Sequence, residues 1–273
     1  MRNIKRASIN IPTLNEFNFE LVFNQTDRKK HTHQIDLHTH QEFEIYINLS
    51  GDVSFLVENR LYPLSRGDVI IARPGEQHHC VYRSDLKHSF FWILFDVEKN
   101  PSILDFFQKN VGINYISPNE DLKNELIDLC FNALENQQEF TDKLYFFFRL
   151  LKILEQGTKE ATNTAHTMPE EMVTILSYID NHISENLQVS DIASALYISE
   201  STVRRRFREY IDIKPLEFIQ KKKLHTAAEL LKQGESVLNA GLNVGYTDNS
   251  YFIQLFKRQY GITPYQYKSK IKR

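Results

Sequence analysis

Cysteine is nearly absent: Cys80 and Cys130 are the only two among 273 residues. That excludes a disulfide framework and leaves no cysteine-rich zinc site. Both are read as buried thiols. Long apolar runs are missing too, since "SFFWILF" (Ser89 to Phe95) is far shorter than the roughly 20 residues that cross a bilayer. The opening segment "MRNIKRASINIPTLNEF" is basic but lacks the apolar centre of a signal peptide, so the chain reads as cytoplasmic with no membrane partner. The 9 glycines never gather into a phosphate-cradling loop. Neither a nucleophile elbow nor a zinc-protease helix occurs, and no enzyme is expected from these signatures.

What remains is an ordinary globular composition, 41% hydrophobic and 25% charged, in a chain long enough for two domains and a linker. The net charge of -2 hides an asymmetry. Residues 1–167 hold 18 Lys and Arg against 23 Asp and Glu, whereas residues 168–273 hold 15 against 12. The basic surplus concentrates between Ser201 and Lys223, which contains Arg204, Arg205, Arg206, Arg208, Lys214, Lys221, Lys222 and Lys223. A cluster like this is either a solvated helix face or a nucleic-acid contact.

From Ile35 to Asp96 short β-type runs alternate with turn residues, the texture of a β-sandwich or barrel. Between Asn119 and Gln156 the period becomes helical. Leu144, Phe147, Phe148, Leu151 and Leu154 form one apolar stripe, and Leu122, Leu126 and Leu129 mark a partner helix. This hairpin either packs on its own domain or forms a dimer interface. The polar, Thr-rich "EQGTKEATNTAHTMPE" (Glu155 to Glu170) reads as a linker. The expected organisation is a β domain over 1–112, a helical hairpin over 113–158, a linker over 159–170 and an all-α domain over 171–273.

The last hundred residues repeat. "DIASALYIS" (191–199) aligns with "NAGLNVGYT" (239–247) at an offset of 48, and "STVRRRFREYIDIKPLEF" (201–218) with "SYFIQLFKRQYGITPYQY" (250–267) at an offset of 49. Apolar positions agree between the copies and polar ones do not, as expected of two copies of one supersecondary unit. Each copy reads as helix, tight turn, helix. Ser190 and Ser199 are cap candidates in the first copy. Val203 and Phe207 turn inward there, leaving Ser201, Thr202, Arg204, Arg205 and Arg208 outside. This is a helix-turn-helix whose second helix can enter a DNA major groove, where an arginine fork matches guanine O6 and N7.

Residues Val173 to Tyr267 resemble the double helix-turn-helix domain of the AraC/XylS family of bacterial transcription regulators. The carrying residues are "VSDIASALYISESTVRRRFREY", "KPLEFIQKKKLHTAAELLKQGES" and "NVGYTDNSYFIQLFKRQYGITPYQYK". The resemblance implies two units joined by a long helix near Pro215 to Gln233, reading successive major grooves about 34 Å apart. By position it implies base-reading places at Ser201, Thr202, Arg204 and Arg205 in the first unit, and at Asn249, Ser250, Ile253 and Gln254 in the second. Three departures stand out. The second recognition helix presents Ile253 and Gln254 where the family usually has an arginine, so the first unit is expected to anchor binding while the second contributes A·T contacts through Gln254, Asn249 and Ile253. Ala240-Gly241 puts a glycine in a helix, at about 1 kcal/mol relative to Ala. Asp212 stands where the family often has glycine, an exchange that Asp tolerates in a left-handed conformation.

Near the N-terminus, "HTHQEFEIYINLSG" (His38 to Gly51) and "PGEQH" (Pro74 to His78) resemble the two motifs of the cupin superfamily, His-x-His-x3-Glu-x6-Gly and Pro-Gly-x-x-His. Residues i and i+2 of a strand share a face, so His38, His40 and Glu44 can converge. His78 is a fourth candidate. Such a set lines an effector pocket, holds a divalent metal, or is structural with no ligand. Tyr46 and Trp92 are candidate pocket walls, with core packing the preferred role for Trp92. His31 and His33 read as solvated loop residues.

The expectation is therefore an N-terminal cupin-like β-barrel with a helical dimerisation region, joined to an all-α double helix-turn-helix. The implied function is a promoter-binding regulator, in the first instance an activator that contacts RNA polymerase as a homodimer. A small polar effector, with sugars foremost, would bind at His38, His40, Glu44, Tyr46 and His78. No cofactor is expected. The alternatives are a metal-dependent cupin enzyme fused to a DNA-binding domain, or a regulator that senses a metal through His38, His40, Glu44 and His78.

Overall fold

The computed structural model describes residues 3–11, 17–26, 37–96, 100–135, 140–160 and 168–271. It divides into two compact units, Met1–Thr167 and Met168–Arg273.

The first unit holds nine strands among the described residues: β1 (Asn3–Ile11), β2 (Phe17–Thr26), β3 (Phe43–Ser50), β4 (Val53–Val57), β5 (Arg60–Leu64), β6 (Val69–Ala72), β7 (His78–Tyr82), β8 (His88–Phe95) and β9 (Tyr115–Ile116). Three helices join them, α1 (Pro101–Lys109), α2 (Glu120–Glu135) and α3 (Phe140–Glu160). The strands do not close into the expected barrel. They form a six-stranded sheet in the order β1-β2-β8-β3-β6-β9 and a three-stranded sheet in the order β5-β4-β7. Edge strand β5 contains the exposed Pro63, which has no N–H to offer a further strand.

Both faces of the large sheet are covered. On one, Phe43, Ile45 and Ile47 of β3 and Phe91, Ile93 and Phe95 of β8 pack with the three helices. On the other, Tyr46, Ile70 and Phe90 meet Val53, Phe55 and Tyr62 of the small sheet. Double coverage explains why β8 reads as an unbroken apolar run rather than an alternation. Helix α1, which sequence periodicity had not marked, starts at Pro101, a residue preorganised for a first helical turn.

The helical hairpin packs on this same core, with a corrected stripe. Phe146, Phe147, Leu150, Ile153 and Leu154 are the buried hydrophobic residues of α3, while Phe148 is 57% exposed. Phe146 and Phe147 stack on Phe19 of β2, at centroid distances of 5.3 and 6.1 Å. Lys123 of α2 reaches a buried Asp68 at 3.1 Å, and Asp68 also accepts hydrogen bonds from Ser117 and Tyr115. A buried charge so fully partnered ties the hairpin to the sheet. Helix α3 runs to Glu160, so the first residues of the expected linker are helical, and 161–167 lie outside the described residues.

The second unit contains α4 (Glu170–Asn181), α5 (Val189–Ala195), α6 (Glu200–Tyr210), α7 (Pro215–Lys232), α8 (Val237–Asn243), α9 (Asn249–Tyr260) and α10 (Pro264–Ile271). The repeat maps onto α5 with α8 and α6 with α9. Its turns match as well: Tyr197 and Gly245 have φ of 55° and 80°, and Asp212 and Gly261 have φ of 61° and 73°. Asp212 thus takes the left-handed conformation expected of it. The serine at 190 is not the cap of α5. It lies inside the helix, where Gln188 is the cap and its N–H is accepted by Asp191 at 2.7 Å. Ser199 does cap α6, accepting from the Thr202 N–H. Gly241 in α8 lets the Phe252 ring approach so closely that an added Cβ would lie 3.0 Å from it.

Candidate functional site

His38 and His40 do not sit on a strand as alternating neighbours. They precede β3, and their convergence comes from an isolated antiparallel bridge in which His38 and His78 exchange backbone hydrogen bonds at 3.2 and 3.0 Å. The bridge sets the His38 and His78 rings 4.3 Å apart, with His40 4.8 Å from His78. Glu44, two residues into β3, points into this cluster. Its Oε2 lies 3.2 Å from His40 Nε2 and 3.5 Å from His78 Nε2. One ligand atom from each of His38, His40, Glu44 and His78 can be chosen so that all lie within 4.8 Å of one another.

Backbone carbonyls orient two of the rings. His40 Nδ1 donates to Glu42 O at 3.0 Å, and His78 Nδ1 donates to Glu76 O at 2.9 Å. Each Nε2 is thereby aimed at the same carboxylate oxygen. Burial alone would raise the Glu44 carboxyl, but hydrogen bonds from His40 and His78 outweigh it and hold the group well below the usual carboxylate range. Burial disfavours a charged His78, yet Glu44 more than compensates and moves its pKa upward. The result is an ionised carboxylate inside a ring of imidazoles.

These groups form one end of a cavity of about 150 Å³ between the two sheets, whose remaining walls are mainly aromatic. The register pairs Glu44 with Leu94 and Tyr46 with Trp92, so alternate residues of β8 line the same side as the carboxylate. Across from them, Phe55 of β4 and Cys80 and Tyr82 of β7 close the cavity. Of the anticipated set, His38, His40, Glu44 and Tyr46 line it. His78 stands behind them, fully buried. Trp92 is a half-buried wall rather than core, and Cys80 is half-buried against the cavity rather than a buried thiol. Sequence reading missed Phe55, Cys80, Tyr82, Phe90 and Leu94; period-two alternation along β8 was the available signal for Phe90 and Leu94. The His31 and His33 pair lies outside the described residues.

In the second unit, α6 buries Val203 and Phe207 and exposes Ser201, Arg204, Arg205 and Arg208, with Thr202 partly covered. These five residues line one shallow depression. The Ser199 hydroxyl engages those of Ser201 and Thr202 at 2.7 and 2.9 Å, so part of their hydrogen-bonding capacity serves the helix start. Arg204 pairs with Glu200 at 3.0 Å. On α9, Ser250 and Gln254 are exposed and Asn249 is half-buried. Ile253 packs partly against the core of that unit, which limits what it can present outward. No helix among the described residues is long and apolar enough to cross a membrane.

Comparison with known proteins gives two family matches. Residues 192–270 match a helix-turn-helix domain, and residues 26–144 match an AraC-like ligand-binding domain. The chain is similar to the HTH-type transcriptional activator RhaR of Mannheimia succiniciproducens, at 26% identity over 89% of this chain and 91% of that protein. It is similar to the arabinose operon regulatory protein of Escherichia coli at 24% identity over 78% and 75% of the two chains. Among solved structures, ToxT from Vibrio cholerae aligns over 99% of this chain and 97% of its own, at 15% identity and a TM-score of 0.40. With an AraC-like ligand-binding domain ahead of a helix-turn-helix domain, the chain belongs to the AraC family of DNA-binding transcription regulators.

Proposed function

We propose that the cavity between the two sheets receives a small polar effector, with a monosaccharide as the leading class, and that its occupancy controls promoter binding in the cytoplasm. The observation that carries this reading is a polar end of imidazoles and one carboxylate in a cavity whose other walls are mainly aromatic. Sugars combine hydroxyls, which such an end can bond, with an apolar ring face that stacks on Trp92 or Tyr46. The volume of about 150 Å³ suits a single ring, since a cavity of about that size holds benzene. The names of the relatives point the same way, one an arabinose operon regulator and one an activator. Activation through RNA polymerase is the corresponding sign of control.

The test is thermal unfolding of the full chain against a panel of monosaccharides, arabinose included. A saturable rise is expected, worth about 2.7 kcal/mol at a hundredfold excess over Kd. Glu44→Gln should abolish the rise while leaving effector-free DNA affinity within about twofold, because the carboxylate lies outside the DNA-binding unit. An unresponsive wild type, or a variant that responds equally, would sink the reading.

A second reading is favoured by the orientation of His40 and His78. Their Nδ1 atoms are held by carbonyls and their Nε2 atoms face one carboxylate oxygen, the arrangement that outer-sphere hydrogen bonds give to metal ligands. The donor set fits a divalent transition metal, held by His38, His40, Glu44 and His78. A bound ion would supply Lewis acidity or make the protein a metal sensor. Metal analysis of chelator-free protein separates the readings: about one equivalent per chain, with a melting temperature lowered by EDTA, favours metal.

Dimerisation has its own support. Tyr145 and Phe148 of α3, at 64% and 57% exposure, offer an apolar surface for a second copy of the chain. Sedimentation of the full chain is expected to give twice the monomer mass, and Phe148→Glu to return the monomer.

A further inference from the structure

Lys223 lies in the middle of α7, the helix that joins the two helix-turn-helix units, and is almost fully buried. Burial of a lysine needs a reason. Its Nζ donates to Glu185 O at 2.6 Å, in the segment between α4 and α5, and to Val244 O at 2.8 Å, at the end of α8. One ammonium therefore satisfies a carbonyl from each unit. The Tyr246 ring lies 5.5 Å from the same nitrogen and adds a cation–π contact.

The neighbouring backbone is equally tight. Gly245 has φ of 80°, and a Cβ there would collide with the Ser184 carbonyl oxygen and approach Lys223 Nζ. The turn of the second unit is thus seated directly on the first. The equivalent turn residue of the first unit, Tyr197, is 97% exposed and touches nothing comparable. Lys222, next along α7, adds a 2.6 Å ion pair to Asp180 of α4.

We propose that Lys223 is a positioning residue that locks the two helix-turn-helix units into one rigid body, so that the protein, rather than the DNA, fixes the spacing between half-sites. This rests on the reading that α6 and α9 both enter DNA. Lys223 is buried and its Nζ is committed to two carbonyls, so no direct contact with a base or phosphate is expected of it. Its effect is on the geometry between the two helices.

The first measurement is the distance between spin labels at Glu209→Cys on α6 and Lys257→Cys on α9, in full-length chain carrying Cys80→Ser. A single narrow distribution, unchanged by DNA, is expected. Lys223→Met should broaden it and Lys223→Arg should restore it. A broad distribution in the parent, or one that DNA shifts, overturns the lock, as does an unchanged Lys223→Met. Should Lys223→Met fail to fold, Lys223→Gln, which keeps a donor but is too short to span both carbonyls, takes its place. Unfolding of both would make Lys223 a stability residue only and overturn the positioning role.

The second measurement uses a duplex selected by the full chain from random DNA. Inserting one base pair between the half-sites rotates one against the other by about 34°. The parent is expected to lose about tenfold or more in affinity, and Lys223→Met about threefold or less relative to its own uninserted duplex. Equal losses overturn the lock. If scrambling either half-site leaves the parent's affinity unchanged, the two-helix reading has failed instead, and the label distances still decide whether the units are locked.

Discussion

Arg205→Ala is expected to weaken binding to a specific duplex by about 5- to 150-fold, the equivalent of the 1–3 kcal/mol that a bidentate arginine–guanine contact contributes. Arg205 is exposed on α6, and it forms no ion pair among the described residues. Its guanidinium can therefore turn to a base without giving up a partner. Arg204 differs, because DNA would replace its 3.0 Å contact with Glu200 and the net gain is smaller. The ordering Arg205→Ala worse than Arg204→Ala follows. Salt dependence separates the two roles open to either side chain. A base contact alters preference at one position, whereas a phosphate contact weakens all duplexes alike and lowers the salt slope by about one. Wild-type binding by both variants would remove α6 from the interface.

Phe252→Ala is expected to destabilise the second unit by about 3–5 kcal/mol, the usual range for emptying a buried aromatic site. Phe252 is fully buried. Its ring stands 5.5 Å from that of Tyr246 and 5.8 Å from that of Phe256, and it fills the space that Gly241 leaves open in α8. The core it belongs to also includes Leu224, Ala227, Ala228 and Leu231 of α7, so little nearby can move in to fill the void. Denaturant unfolding of the full chain, followed by helix signal, measures the effect. A loss under about 1.5 kcal/mol would mean that the site collapses around the change, contrary to the packing described.

Much of the DNA-binding unit was legible because a duplicated sequence carries its own control. Offsets of 48 and 49 predicted matched helices, and even the left-handed turns at Tyr197 and Gly245 obey them. The start of α7 near Pro215 came from the family resemblance, while the proline at the head of both α7 and α1, which preorganises a first turn, was a local signal left unread. The β unit was less legible. Residues His38, His40 and Glu44 were gathered by motif, but strand alternation was the wrong cause. The bridge to His78, forty positions away, brings them together, and no local period encodes such a pairing. The α3 stripe departs at Phe148 alone, since Phe147 and Leu154 are buried and Leu144 and Leu151 pack against the same core, and the reason is related. Phe147 and Phe148 are equally apolar, and only the sheet beneath decides which of them is buried. Ser190 lost its expected capping role because Asp191 accepts the Gln188 N–H from inside the helix, a competition between adjacent polar residues that preference alone does not resolve.

The cavity between the sheets has a consequence for protein turnover. Its walls are core residues of both sheets, so a ligand seated there completes the packing of the unit much as a missing side chain would. Filling it raises the cost of every opening that exposes the chain to proteases. Under the proposed function, a ligand of the first unit would therefore set how long each molecule survives as well as what it does while it lasts. Cells rich in that ligand are expected to hold more of the protein at a constant rate of synthesis.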